Sequence, residues 1–123
     1  MQFKLAKTHR YWWPVKVRVP DPANAGQFLE QELRLELEPL PRDEVIASQE
    51  RLGELKTVRE AIDHEVAEML RVVRNWDGVV DDGGTVPFSI EAFGAALQHS
   101  WFRAGVSEAM RASLNGEEAR LGN

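Results

Sequence analysis

At 123 residues the chain has room for one domain, and 43% apolar against 28% charged side chains is the balance of an ordinary globular protein, not of a disordered or membrane-spanning one. No cysteine is present, which excludes disulfides, thiolate metal sites and cysteine nucleophiles. The net charge of −5 argues against a surface built as a whole for nucleic acid, and it is unevenly spread: Lys4, Lys7, Arg10, Lys16 and Arg18 give the first 20 residues +5 with no acid, leaving −10 for the remainder.

The first third predicts β structure. Tyr11, Trp13, Val15, Val17 and Val19 alternate with Trp12, Pro14, Lys16 and Arg18, the period of a half-buried strand. Pro14 cannot donate to a ladder, so this strand belongs at an edge or at a bulge. The turn-rich run from Pro20 to Gly26 follows, then a second strand in which Leu33, Leu35 and Leu37 alternate with Glu32, Arg34, Glu36 and Glu38. An antiparallel hairpin sets Lys16 and Arg18 opposite glutamates, at ~0.2–1 kcal/mol per cross-strand pair. That pairing accounts for the basic start of the chain without a nucleic acid. Phe3 and Leu5 offer a short third strand.

After Pro39 and Pro41, the acids Asp43 and Glu44 open a helix expected over about 42–52, with Gly53 as a break or weak point. Leu55, Val58, Ile62, Val66, Met69, Val73 and Trp76 then fall at spacings of three and four, predicting one long amphipathic helix to about Asn75. A coiled-coil seam is the rarer use of such a stripe, and packing on the chain's own core the commoner. Residues 77–87 read as a Gly/Asp-rich loop. Ser89 is suited to cap a short helix over about 90–98, with Phe88 and Phe93 positioned as a hydrophobic staple. Ser100 is expected to cap a last helix carrying Trp101, Phe102, Val106, Met110 and Leu114, stopped by Asn115-Gly116. The expected architecture is α+β, in a single domain: an N-terminal antiparallel β-hairpin (β region 1–38), then three or four α-helices (42–114), then a polar tail at 117–123 that frays.

Chemistry-bearing motifs are sparse. His9, His64 and His99 fall in no metal-ligand spacing, and His64 with Glu68 is more simply a solvated i, i+4 pair. Asp77, Asp81 and Asp82 fail as a calcium loop, since Asp82 stands where glycine is required and Phe88 where the bidentate Glu belongs. No phosphate-cradling loop, nucleotide fingerprint or nucleophile elbow occurs, so no enzymatic activity, metal or cofactor is expected. No run reaches the ~20 apolar residues of a membrane span, and no apolar leader is visible.

The aromatic run Tyr11-Trp12-Trp13-Pro14-Val15-Lys16-Val17, followed by Pro20-Asp21-Pro22 and Gly26, is joined downstream by Trp76-Asp77-Gly78-Val79, Asp82-Gly83, Val86-Pro87-Phe88-Ser89 and the helix through Phe93 and Leu97. Together, over about 11–114, these resemble the small tail assembly chaperones of long-tailed bacteriophages and prophages. The resemblance implies a non-catalytic protein of the bacterial host cytoplasm. Such a protein binds the tape measure protein (the long helical ruler of the tail), keeps it soluble, helps recruit tail tube subunits and is absent from the finished virion. It implies several copies per ruler, hence self-association, and in such families a longer frameshifted form is common. The competing expectation is a structural tail or head-completion protein retained in the particle. Neither involves a membrane or a nucleic acid. Candidate contacts are Trp12 on the first strand, Trp76 with Val79 and Val80 around the loop, and Trp101 with Phe102 on the last helix. Trp76 also continues the apolar stripe and so has a competing place in the core. Trp101 and Phe102 lie about 100° apart on a helix, so only one of them can face the surface fully.

Overall fold

The computed structural model describes residues 1–119. Its order is β1 (Tyr11–Pro20), β2 (Phe28–Leu37), α1 (Arg42–Glu54), α2 (Val58–Val72), β3 (Val73–Asp77), β4 (Val80–Asp81), β5 (Gly84–Thr85), α3 (Ile90–Ala96) and α4 (Ser100–Leu114). The α+β class, the opening hairpin and the helices that follow are as expected. The tail expected at 117–123 lies outside the described residues beyond 119.

The first two strands pair antiparallel from Tyr11↔Leu37 to Pro20↔Phe28. Their connection is tied by Asp21, whose carboxylate accepts from the Ala23 backbone N–H at 2.8 Å and the Asn24 side-chain amide at 2.9 Å. One face of the hairpin carries Val15, Val17, Leu33, Leu35 and Leu37, all buried. The other carries the expected charge pairing: Lys16 faces Glu32 and reaches Glu30 at 3.9 Å, while Arg18 lies over the Phe28 ring at 4.7 Å.

The third strand is not at Phe3 and Leu5, which lie in an exposed segment without regular secondary structure, but at Val73–Asp77, within the stretch expected to be helix up to about Asn75. The sheet order β1-β2-β3 leaves β1, with its Pro14, at an edge as anticipated. The misreading has a specific cause. Leu35 pairs with Trp76, Glu36 with Asn75 and Leu37 with Val73, so the two residues Glu36–Leu37 of β2 oppose three of β3, 73–75, and the register slips at a bulge. The extra residue puts Val73 and Trp76 on the same core face although they are three apart, which is the spacing of a helix. The single long helix is therefore corrected to α2 followed by a strand, and the loop at 77–87 contains the small β4–β5 hairpin.

The start of α2 was written in a pattern that hydrophobic spacing does not reveal. Thr57 Oγ1 accepts from the Glu60 backbone N–H at 3.0 Å while the Glu60 carboxylate accepts from the Thr57 hydroxyl at 3.0 Å, a reciprocal cap. Gly53 stays inside α1, and the break comes at Leu55, which is extended. For α3, Ser89 caps as expected, accepting from Ala92 N–H at 3.0 Å, and Phe88 meets Phe93 at 5.8 Å between ring centroids. Ser100, by contrast, does not cap α4 as expected: it is the first helical residue, and the N-cap is His99, without a side-chain cap bond.

α4 closes the core by running antiparallel to β1. Tyr11 Oη and Ser113 Oγ hydrogen bond at 2.9 Å at one end. At the other, Gly105 approaches the strand so closely that an added Cβ would lie 2.7 Å from the Lys16 carbonyl oxygen and 3.1 Å from Val17 Cγ2. Val106, Ala109 and Ala112 complete the buried face of α4, and Phe93, Leu97, Met69, Val72 and Trp76 fill the rest of the core. Each fully buried aliphatic side chain contributes ~1.5–3 kcal/mol.

Gly105→Ala is predicted to destabilise the fold. It gains up to ~1 kcal/mol of helix propensity but meets a backbone oxygen that cannot swing aside, and overpacking costs ~1–3 kcal/mol. Gly94→Ala on α3, whose new Cβ meets nothing within 4 Å, is the control and should hold or raise stability. Thermal unfolding of the two variants checks the contrast.

Candidate functional site

Four of the six residues chosen from the sequence converge. Val79, Val80, Trp101 and Phe102 line a groove of about 630 Å³ together with Val17, Val19, Leu33 and Ala96, and with Gln31, Glu32 and His99. Three separately folded pieces build it: the core face of the β1–β2 hairpin near its turn, the segment leading into β4, and the α3–α4 corner.

Each piece is set by a local device. Gly78, at φ 88°, makes the turn that leaves β3 and brings residues 79 and 80 back toward Leu33, whose Cα would lie 3.6 Å from an added Cβ. Val79 then accepts from the Val86 N–H at 2.9 Å and packs on the core, leaving Val80 exposed. At the corner, the Arg103 guanidinium donates to the carbonyls of Leu97 at 2.7 Å and Gln98 at 3.2 Å, satisfying carbonyls left free where α3 ends. This holds the first turn of α4 in place. Phe102 turns inward against Phe93, 5.9 Å between centroids, and Trp101 turns outward, 36% exposed, with the His99 ring stacked on it at 4.8 Å. The choice between these two neighbours, open in the sequence, thus falls on Trp101 as the surface residue.

The other two candidates stand elsewhere. Trp76 is only 6% exposed, its indole N–H donating to the Val86 carbonyl at 2.8 Å and its ring edge-on to Phe88 at 5.5 Å. It is a core residue and is withdrawn from the contact surface. Trp12 lies on the opposite, polar face of the sheet, 41% exposed, with the Arg34 guanidinium over its ring at 5.5 Å. Arg34 also bonds the Asp77 carboxylate across β2–β3. This hydrogen bond and then the charge of Arg34 hold the Asp77 carboxyl below the usual carboxylate range. Trp12 is therefore a separate surface feature, not part of the groove.

The groove lining is mostly hydrocarbon and aromatic, from Val17, Val19, Leu33, Val79, Val80, Trp101 and Phe102, a composition that binds apolar surface. Among the described residues no cluster of three or more His, Asp or Glu side chains is placed to hold a metal ion. His64 instead shares a hydrogen bond with Ser48 at 3.0 Å, and Glu68 pairs with Arg71 at 3.2 Å. Asp81, from the rejected calcium-loop pattern, accepts from the Gly83 N–H at 2.8 Å within its own turn. No described helix is long and apolar enough to cross a membrane. No protein-family model, curated protein or solved structure matches the chain.

Removing the guanidinium tests the Trp12 face. In Arg34→Gln the Asp77 carboxyl returns to the ordinary range, read by carboxyl NMR titration, and Trp12 emission shifts. Because the folded pKa of Asp77 is depressed, the stability this carboxylate contributes is present above the ordinary aspartate pKa. It is lost only as pH falls through the folded value, so the variant and the parent converge in acid, not near neutrality. Both side chains are more than half exposed, so salt screens the effect.

Proposed function

We propose that the protein is a non-catalytic tail assembly chaperone of a long-tailed phage or prophage, holding apolar helical stretches of the tape measure protein in the groove beneath Trp101. The observation that carries this reading is the convergence of Val79, Val80, Trp101 and Phe102 from three chain segments on one apolar depression. An amphipathic helix presents an apolar ridge of side chains at i, i+3, i+4 and i+7, and a groove with an exposed indole at its lip receives such a ridge. The −10 carried by residues 21–123 supports the rest of the role. Like charge over the outer surface keeps a ruler coated with many copies soluble and keeps coated rulers apart. The acidic surface also suits recruitment of tube subunits by steering, with the contact itself made elsewhere on the complex.

Co-expression with a tape measure protein tests the reading. The ruler should move into the soluble fraction and co-purify with the chain. Trp101→Ala with Val80→Asp should weaken the association by ~2 kcal/mol or more, with unfolding unchanged because both positions are exposed. If the ruler is no more soluble and does not co-purify, the reading is wrong. Abundant copies of this chain in finished particles, seen by mass spectrometry, would replace it with a structural role.

A further inference from the structure

The α1–α2 pair leaves apolar surface that neither the core nor the Trp101 groove uses. α1 buries no residue, and Val45, Ile46, Leu52 and Val58 are exposed. Between α1, α2 and α4 lies a second groove of about 490 Å³, floored by Leu52, Ile62 and Met110 and edged by Glu65 and Glu68, with no Lys or Arg along its lining. Glu68 is held by Arg71, whereas Glu65 makes no ion pair among the described residues.

At the start of the chain stands a segment of complementary character. Met1, Phe3 and Leu5 are 126%, 90% and 88% exposed, more than any other large apolar side chain described. Lys4 and Lys7 make no ion pair among the described residues, and no acid occurs before Asp21. In an extended segment Phe3 and Leu5 fall on one side with Lys4 on the other. Residues 6–9 lie beside Glu38–Pro41 and Glu44 at the base of α1, whereas Met1, Phe3 and Leu5 before them are exposed.

We infer that residues 1–5 of one copy dock, extended, in the α1–α2–α4 groove of a second copy. Phe3 and Leu5 seat against Leu52, Ile62 and Met110, and Lys4 meets the carboxylate of Glu65. The exchange is reciprocal, because a twofold pairing uses both arms and both grooves. One five-residue arm covers far less than the ~1,200 Å² of a stable interface, and reciprocity doubles it. The contact is distinct from the Trp101 groove and does not depend on the proposed function. It leaves that groove open in the dimer.

Sedimentation velocity on the full chain over a concentration series tests this. A monomer–dimer equilibrium is expected. Phe3→Asp with Leu5→Asp, and separately Ile62→Asp, should each raise the dimer dissociation constant about tenfold or more. Lys4→Glu should weaken dimers, and adding Glu65→Lys to that variant should restore them in part. This charge swap lies entirely on exposed positions and so remains informative should Ile62→Asp fail to fold. Three results would overturn the inference: a chain monomeric at every concentration, with protection of Lys4 from trypsin then meaning that the arm docks in its own chain; dimers indifferent to the arm variants; or a charge swap without rescue.

Discussion

Leu33, Leu35 and Leu37 run down the core face of β2, and among the described strands β2 alone has a neighbour on both sides. Once one face of this strand is apolar and the other is Glu, Arg, Glu, the sheet must be covered on one side and wetted on the other. The rest follows from covering it. α4 takes the β1 side, α2 and the Trp76–Phe88–Phe93 aromatic cluster take the β3 side, and α3 closes between them. The approach of α4 to β1 is limited by the one residue without a side chain, Gly105, so the helix sits as near the strand as backbone atoms permit.

What this packing leaves uncovered is as informative as what it covers. Near the turn of the hairpin, Val17, half-buried Val19 and Leu33 line the groove that Trp101 borders. The α1–α2 pair meets the core through the C-terminal half of α2, where Met69 and Val72 are buried. Two apolar depressions with separate lining residues result. Their separation lets one partner be held while another surface makes contacts of its own.

Much of the fold was legible. The two-residue alternation of β1 and β2, Pro14 at an edge, the Ser89 cap with its Phe88–Phe93 staple and the Asn115-Gly116 stop all express local chemistry that needs no distant partner. The one large error, a helix carried through Val73 and Trp76, arose because a bulge opposite Leu37 gives a strand the three-residue spacing of a helix turn. The Thr57–Glu60 capping box lies in the sequence and marks where α2 begins. Periodicity alone passed over it because Leu55 and Val58 keep the helical stripe going across the break.

The sequence by itself determined the α+β class, the charge-paired hairpin and the Ser89 cap of α3, because strand period, opposite charges and helix caps act over a few residues. It named the aromatic candidates but could not sort them. Trp12, Trp76 and Trp101 are chemically the same side chain. Only the tertiary structure assigned one to the polar sheet face, one to the core with its indole N–H satisfied by Val86, and one to the lip of a groove. That sorting depends on which surfaces meet when a bulged third strand and an antiparallel α4 close over β2, and those contacts join residues far apart in the chain.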